Sequence, residues 1–444
     1  MTDGQMPVHE LAGELNAVLE GTVPGALLSP LGRRLYFPRG IIAQGAEAKQ
    51  YAPDANGTLG IAVKNKTPLI LSALKDQIPG LGAPDIVSYA PTAGIPALRE
   101  FWAAEIRRKN PSLAGASLSL PVVTAGLTAG ISAVCDLFLG QGDVLLAADP
   151  SWDNYALIAE ARRCARLGPV DLFGEGGINL AALRAALEGE AQRTGLVRII
   201  LNFPNNPAGY SPTKTEAAEI CAMIHRIAQG GAKVLVICDD AYFGLRFEDD
   251  IEAQSLFAYL ADIHENVFAA KIDGATKEDF AWGLRCAFVT FGGRGLTEAH
   301  YGALVKKAMG VIRSTVSCSS TVSQSLLHRM YTTGGAAMEA EREEFRALIG
   351  GRYRRVRAIV DGRKNHPVLR PMPFNSGYFM SFRCRGVGAE ALRQRLLHTY
   401  RVGAVAIDGR TLRVAFSGMD DGAIDGAYAA IYRAAEELAA QGTG

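Results

Sequence analysis

Five short polar segments of the sequence could act together in chemistry, and each follows a run of β-forming residues. They are Gly126-Leu127-Thr128, Asp149-Pro150-Ser151-Trp152, Asn205-Asn206-Pro207, Asp239-Asp240-Ala241-Tyr242 and Asp273-Gly274-Ala275-Thr276-Lys277. Ligands of open α/β sheets bind outside the carboxyl ends of the strands, so we expect these segments to meet at one edge of a sheet. Together they offer an anion site, an aromatic ring, a carboxylate and a lysine.

This combination is suited to pyridoxal 5'-phosphate. A lysine can hold the aldehyde as a Schiff base, and a carboxylate can keep the pyridine nitrogen protonated so that the ring accepts electrons. An aromatic side chain can cover one face of the ring, and backbone N–H groups at a helix N-terminus can bind the phosphate. The sequence therefore predicts a pyridoxal-phosphate site at the sheet edge.

The elements that must position these residues follow a regular order. β-rich runs occupy residues 121–124, 144–148, 196–203, 233–238, 267–272 and 286–291. Helical patterns at 128–139, 180–188 and 214–229 separate most of them. Alternating strands and helices predict an α/β fold with a mostly parallel, doubly wound sheet.

Both ends of the chain have a different pattern. Helical patterns cover residues 9–20, 68–77 and 95–109 before the sheet, and 336–364 and 424–440 after it, and residues 407–411 predict a hairpin. We predict three parts: residues 1–67 as an N-terminal arm and part of a small domain, 68–332 as the large cofactor-binding domain, and 333–444 as a linker helix and the rest of a smaller α/β domain.

Composition excludes several classes of protein. The 444 residues carry a net charge of +1, which argues against nucleic-acid binding driven by counterion release and against a polybasic membrane surface. The seven cysteines are widely spaced without a CxxC pair, so we predict no disulfide framework, no metal site and a cytoplasmic location. No signal peptide is evident, and Asp136 and several glycines interrupt the most apolar stretch, so no membrane span is predicted.

Further blocks of sequence extend this pattern over most of the chain. They are Tyr89-Ala90-Pro91-Thr92-Ala93-Gly94, Asn202-Phe203-Pro204-Asn205-Asn206-Pro207-Ala208-Gly209, Gly283-Leu284-Arg285 and Arg413-Val414-Ala415-Phe416-Ser417-Gly418-Met419. Lys277 precedes Arg285 by eight residues. In this order the blocks resemble those of the fold-type I pyridoxal-phosphate enzymes, specifically the class I/II aminotransferases, and among these the aspartate aminotransferase type. The resemblance implies the fold-type I architecture.

The resemblance also implies roles for the residues around the cofactor ring. Lys277 would form the Schiff base and then move the proton between the substrate Cα and the cofactor carbon. Asp239 would pair with the pyridinium nitrogen, and Trp152 would stack on the ring. Asn206 and Tyr242 would donate hydrogen bonds to the phenolic oxygen.

The phosphate and the substrate have their own predicted partners. The phosphate would be held by Gly126, Leu127, Thr128, Thr276 and Arg285. Tyr89 would reach the phosphate of the neighbouring subunit, which implies a homodimer with shared active sites. Arg413 would bind the substrate α-carboxylate as a planar fork, with Gly60 and Asn206 on the substrate side. Arg313 matches a second arginine that the partner subunit donates to a substrate's side-chain carboxylate.

The function predicted from these residues is ping-pong transfer of an amino group between an L-amino acid, with aspartate and glutamate as candidates, and a 2-oxo acid. Two alternatives remain open: a lyase or decarboxylase on the same fold, and a non-catalytic regulator that kept the fold. Such regulators carry an N-terminal DNA-binding domain, for which residues 1–60 are too few and not basic. The expected partners are small molecules and a second copy of the chain.

These residues also have purely structural interpretations, and Lys277 has a competitor. Lys271 competes with Lys277 as the cofactor lysine, but it lies inside a predicted strand and lacks an arginine eight residues later. Asp239 could cap a helix, and Arg413 could be an exposed strand residue. Arg313 could simply end a helix that begins near residue 301, where a cation favours the helix dipole.

Overall fold

The computed structural model describes residues 8–18, 20, 41–58 and 60–441, and its main feature is a seven-stranded sheet. The strands of this sheet are β3 (Val122–Thr124), β4 (Val144–Ala148), β5 (Arg166–Val170), β6 (Leu196–Asn202), β7 (Lys233–Asp239), β8 (Val267–Asp273) and β9 (Ala287–Gly293), in the order β3-β9-β8-β7-β6-β4-β5. A short hairpin of β1 (Val63–Lys64) and β2 (Thr67–Pro68) precedes them. Strands β5, β4, β6, β7 and β8 are parallel, whereas β9 is antiparallel to β8 and β3.

The six predicted strands are confirmed, and the register explains why their polar ends meet. Asn202 of β6 pairs with Asp239 of β7, and Asp239 pairs with Ile272 of β8. The carboxyl ends of three neighbouring parallel strands therefore lie side by side. The interior of β6, β7 and β8 is buried on both faces, as near-continuous apolar runs in a parallel sheet require.

Helices cover the sheet and the two ends of the chain. They are α1 (Glu10–Val18), α2 (Ile41–Tyr51), α3 (Ser72–Lys75), α4 (Ala83–Val87), α5 (Pro96–Lys109), α6 (Leu127–Phe138), α7 (Asn154–Ala156), α8 (Leu180–Thr194), α9 (Lys214–Gln229), α10 (Phe257–Leu260), α11 (Ala275–Glu278), α12 (Glu298–Thr315), α13 (Thr321–Thr333), α14 (Gly335–Asp361), α15 (Ala389–Arg395) and α16 (Asp421–Ala440). Helix α9 begins with a capping box between Thr213 and Glu216. The long helix predicted at 336–364 is confirmed as α14.

A second, four-stranded antiparallel sheet is built near the C-terminus. Its strands are β10 (Leu369–Pro371), β11 (Phe379–Cys384), β12 (Val405–Ala406) and β13 (Thr411–Ala415), in the order β10-β11-β13-β12. The predicted hairpin is confirmed: the Asp408 side chain accepts hydrogen bonds from the Arg410 N–H and the Thr411 hydroxyl in the β12–β13 turn. The N-terminal part of the chain joins this sheet, because Gly57 exchanges backbone hydrogen bonds with Gly403 and Ala415. The domain boundaries given above stay predictions.

Two predictions of secondary structure were wrong. The helix predicted at 68–77 is reduced to the four residues of α3, because Thr67 and Pro68 pair with Val63 and Lys64 in the β1–β2 hairpin. Strand β5 was missed because Gly168 and Pro169 resemble a break. Pro169 is tolerated there because β5 is the edge strand, so its missing N–H costs no bond on the open side.

Further observations on the described residues concern membrane helices, metal sites and cysteines. No helix of the described residues has the length and apolar character needed to cross a membrane. Within the same residues, no group of three or more His, Cys, Asp or Glu side chains is arranged to hold a metal ion. The seven cysteines are free thiols, and five of them are buried.

Candidate active site

A cavity of about 250 Å³ opens at the carboxyl ends of β6, β7 and β8. It is lined by Leu127, Thr128, Ile131, Trp152, Asn202, Asn206, Asp239, Ala241, Tyr242, Lys277 and Arg285. Most of the residues predicted to surround a cofactor therefore lie around one space. They come from distant parts of the sequence, and the parallel register of the sheet brings them together.

Asp239 is the buried carboxylate of the cavity. It ends β7, is 3% exposed, and accepts hydrogen bonds from the Tyr155 hydroxyl at 2.5 Å and from the Ala241 N–H at 3.2 Å. Burial raises the pKa of Asp239, whereas the Tyr155 hydrogen bond and the charge of Lys277 oppose that rise. Residues 241–244 form a turn and not a helix, so Asp239 does not act as a helix cap.

Lys277 faces this carboxylate from the single turn of α11. Its Nζ lies 4.7 Å from the centre of the Tyr242 ring, and its backbone carbonyl accepts a hydrogen bond from the Tyr378 hydroxyl at 3.1 Å. Burial and, less strongly, the charge of Arg285 lower the pKa of Lys277 to about 8, although Asp239 opposes this shift. A lowered pKa favours the neutral amine, which is the nucleophilic form. Lys271, by contrast, is buried in β8 and does not line the cavity.

The opposite end of the cavity has the features of an anion site. Gly126 precedes the first residue of α6, so the N-terminus of that helix points at the cavity through Leu127 and Thr128. Arg285 packs against it so closely that a Cβ on Gly126 would lie 2.4 Å from the Arg285 Nη2. Nearby in sequence to Arg285, the buried Thr276 hydroxyl has no hydrogen-bond partner. A helix N-terminus, a guanidinium and an unpartnered hydroxyl fit a phosphate group.

Arg413 forms a buried cationic site beside the cavity. It lies on β13, is 1% exposed, and donates hydrogen bonds to the Asn206 side-chain oxygen at 2.8 Å and the Thr58 carbonyl at 3.3 Å. Its Nε has no partner, and no carboxylate of the described residues lies within ion-pair distance of it. Burial lowers the pKa of Arg413 to about 10, so it stays charged at neutral pH. The interpretation of Arg413 as an exposed strand residue was wrong.

Six predicted residues are outside the cavity lining. Gly126 and Thr276 directly precede the lining residues Leu127 and Lys277, and Arg413 binds the lining residue Asn206. The other three are Tyr89, Arg313 and Gly60. Tyr89 is 91% exposed. Arg313 lies exposed at the end of α12 and donates a hydrogen bond to the Ser317 hydroxyl at 2.5 Å. Gly60 lies two residues after Thr58, near Arg413 but outside the cavity lining. The roles of Tyr89 and Arg313 in a partner's site, and that of Gly60, stay predictions.

Sequence reasoning assigned no role to three residues that hold the site together. Tyr155 donates a hydrogen bond to Asp239. It follows Trp152 by three residues, about one helical turn, and this spacing is the sequence signal that could have identified it. Asn202 donates to the Asp239 carbonyl at 2.9 Å and accepts from the Asn206 N–H at 2.8 Å. The hydroxyl of Tyr378, the residue before β11, donates a hydrogen bond to the Lys277 carbonyl. This contact is long-range in sequence, and no local pattern indicates it.

Comparison with known proteins decides the family. A model of the aminotransferase class I and II family matches residues 63–431. The chain belongs to this family. It is 27% identical to the methionine aminotransferase of Escherichia coli over 372 residues, which cover 81% of this chain and 82% of that protein. It is also 27% identical to the arginine–pyruvate transaminase AruH of Pseudomonas aeruginosa over 325 residues, 72% of this chain and 73% of that protein.

Solved structures agree with this family at the level of the fold. A crystal structure of an aminotransferase from Anaerococcus prevotii superposes with a TM-score of 0.77 at 20% identity, covering 90% of this chain and 96% of that chain. The predicted α/β fold of the fold-type I aminotransferases is therefore confirmed. The protein is an aminotransferase, an enzyme that transfers amino groups.

Proposed function

We propose that this aminotransferase uses pyridoxal phosphate to move an amino group between an L-amino acid and a 2-oxo acid by a ping-pong mechanism. The observation that carries the proposal is that Lys277 and Asp239 face one cavity whose far end is an anion site. When bound, pyridoxal phosphate supplies an electron sink for the pair of electrons left at the substrate Cα. The remaining chemistry belongs to side chains of this chain.

Asp239 and its hydrogen-bond partners would hold the ring end of the cofactor. Its carboxylate is in a position to keep a proton on the pyridine nitrogen, and Tyr155 and the Ala241 N–H orient its two oxygens. Trp152 would cover one ring face. Asn206 and Tyr242 line the same cavity and would bind the phenolic oxygen.

The phosphate would bind at the α6 N-terminus beside Arg285, with the Thr276 hydroxyl as a further donor. Backbone N–H groups of Leu127 and Thr128 are in the first turn of α6, where anions are stabilised by the helix dipole. The unpartnered Thr276 hydroxyl supports the assignment, because a buried hydroxyl without a partner is unfavourable in the absence of a ligand.

Lys277 would act as the base that removes the Cα proton and as the acid that returns it. A pKa of about 8 places it close to neutral pH, where a group can both accept and donate a proton efficiently. Arg413 would bind the substrate α-carboxylate, since its Nε is free and a planar guanidinium matches a carboxylate with two parallel hydrogen bonds. This contact would orient the Cα–H bond toward Lys277.

The donor is a separate proposal. Arg313 would select aspartate or glutamate if the partner subunit presents it to the site, whereas the two relatives are named for methionine and for arginine and pyruvate. Half-reaction spectra with a panel of amino acids test function and donor together. Visible absorbance after addition of pyridoxal phosphate, which then changes with an amino acid, supports the proposal. No absorbance change with any donor would contradict amino transfer.

We also propose that the enzyme is a homodimer in the cytoplasm. The exposed apolar residues Ile86 and Val87, at the end of α4, and Tyr89, two residues later, form a short surface that a second subunit would bury. Mixing inactive Lys277→Ala and Tyr89→Phe proteins should restore part of the activity if sites are shared, and sedimentation should give twice the chain mass. An active monomer would contradict the proposal. Seven free thiols suit a reducing compartment.

A further inference from the structure

Lys271 is a buried charge that the proposed reaction does not use. It lies on β8, is 1% exposed, and its ammonium binds the carboxylates of Asp240 and, at 3.3 Å, Asp273. The Phe243 ring lies 4.7 Å from the same ammonium. Burying a lysine with two carboxylates costs free energy unless each charge is paired. The cluster is therefore a candidate for a role in the site.

The two carboxylates end the two strands that carry the proposed catalytic groups. Asp240 directly follows Asp239 at the end of β7, and Asp273 ends β8 four residues before Lys277. Lys271 itself pairs with Cys238 across these strands. The ammonium therefore bridges the carboxyl ends of β7 and β8, immediately behind the cavity wall.

Each carboxylate is also fixed from outside the sheet. Asp240 accepts a hydrogen bond from the Ser255 hydroxyl at 2.6 Å, and Asp273 accepts one from the Trp102 indole N–H at 2.9 Å. Each carboxylate thus has one donor besides the shared lysine. Well-satisfied buried networks of this kind restrict geometry more than apolar packing does.

We infer that Lys271 is a positioning residue that sets the distance between Asp239 and Lys277 by tying the ends of β7 and β8 together. This inference rests on the proposed roles of Asp239 and Lys277. Without the lysine, Asp240 and Asp273 would be two buried carboxylates without a counter-charge, each left with one neutral donor. The tie between the two strand ends would be lost, and with it the fixed spacing of the two groups that contact the cofactor.

The test compares three full-length variants with the wild-type apoprotein. In Lys271→Met the ammonium is replaced by an apolar chain of similar length, and we expect the dissociation constant for pyridoxal phosphate to rise about 10-fold or more. The pH midpoint of the bound cofactor's absorbance should shift as well. In Lys271→Met/Asp240→Asn one carboxylate is neutralised too, and both quantities should return most of the way to wild type.

Arg393→Met is the matched control. Arg393 is also a buried cation with two carboxylate partners, Glu390 and Glu47, but it does not line the cavity. It should lose thermal stability without a change in cofactor affinity or absorbance midpoint. Equal shifts in Arg393→Met and Lys271→Met would overturn the inference, because they would reflect stability alone.

Unchanged cofactor affinity and absorbance midpoint in Lys271→Met would also overturn it. If that variant does not fold, Asp240→Asn and Asp273→Asn decide, since each leaves Lys271 one carboxylate and should produce smaller shifts of the same kind. No shift in either refutes a positioning role. A wild-type protein that fails to bind pyridoxal phosphate would instead refute the proposed function.

Discussion

The hydroxyl of Tyr155 donates a 2.5 Å hydrogen bond to the carboxylate of Asp239, and both groups are buried. This bond lowers the pKa of Asp239 against the opposing effect of burial. It therefore helps to keep the carboxylate charged, which is the state needed to hold a proton on a pyridine nitrogen. A tyrosine outside the cavity lining thus contributes to the electronics of the site.

Tyr155→Phe is predicted to reduce kcat/KM by about 10- to 100-fold, because a hydrogen bond to a buried charge contributes roughly 1.5–3 kcal/mol. The pKa of Asp239 should rise when the bond is lost, so the acidic limb of the pH–rate profile should move to higher pH. The profile of Tyr210→Phe is the control, since Tyr210 binds Glu216 outside the cavity. If the acidic limb of Tyr155→Phe stays at its wild-type pH, the role assigned to Tyr155 is wrong.

Asp239→Asn should cost far more activity than Asp240→Asn. A neutral amide cannot keep the pyridine nitrogen protonated, so we expect a loss of at least about 100-fold in kcat for Asp239→Asn. Asp240 contacts Lys271 and Ser255 and not the cavity, so its effect should be smaller. Steady-state kinetics of the two purified variants provide the comparison. Equal losses would mean that the wrong carboxylate has been assigned.

Lys277→Ala should abolish covalent attachment of the cofactor and all turnover. Borohydride reduction of the wild-type complex followed by peptide mapping should find the label on Lys277. Lys271→Ala should still be labelled at Lys277, because Lys271 lies outside the cavity. A label on Lys271 in the wild type would exclude the assignment.

The pKa of Lys277 also predicts a pH dependence for loading the enzyme. Only the neutral amine attacks an aldehyde, so the rate of cofactor capture by the apoprotein should rise as pH increases through about 8 and then level off. Stopped-flow absorbance between about pH 6.5 and pH 9.5 measures this rate. A midpoint near the ordinary lysine pKa of about 10.4 would show that burial does not perturb Lys277.

Gly126→Ala should weaken cofactor binding, whereas a glycine substitution with similar backbone strain elsewhere should not. Gly126 has a φ of +86°, and an added Cβ would also meet Arg285. Gly142→Ala is the matched control, since Gly142 has a φ of +80° but open space around the added Cβ. Both variants should lose about 1–2 kcal/mol of stability from backbone strain. Only Gly126→Ala should raise the dissociation constant for pyridoxal phosphate, as measured by absorbance titration; similar constants for both would refute the anion site.

Arg313→Ala distinguishes the proposed dicarboxylate donor from other substrates. If Arg313 of one subunit binds the substrate's side-chain carboxylate in the other, the variant should lose about 2–5 kcal/mol of transition-state binding for aspartate and glutamate. Phenylalanine and alanine lack that carboxylate and should be affected much less. Values of kcat/KM for the four donors are the measurement. A uniform loss, or none, would leave Arg313 as a structural residue in the last turn of α12.

The parts of the site that the sequence predicts are those at strand ends. Asp239 ends a buried strand, and Asn206 and Lys277 each come four residues after one, so the rule for parallel sheets places them together. The roles of Tyr155 and Tyr378 were not predicted because their partners are distant in sequence: Tyr378 is 101 residues from Lys277. Strand β5 was not predicted because Gly168 and Pro169 are unfavourable in strands, and Pro169 is tolerated only because β5 lies at the sheet edge.

The contact between Arg413 and the Thr58 carbonyl joins residues 355 positions apart in the chain. Translation proceeds from the N-terminus, and parts of a chain begin to fold before synthesis ends. We expect the seven strands that carry Asp239 and Lys277 to be complete well before Arg413 has been made. A chain released early, or cleaved near residue 400, would therefore retain the sequence of the cofactor pocket while lacking the group that holds the substrate carboxylate.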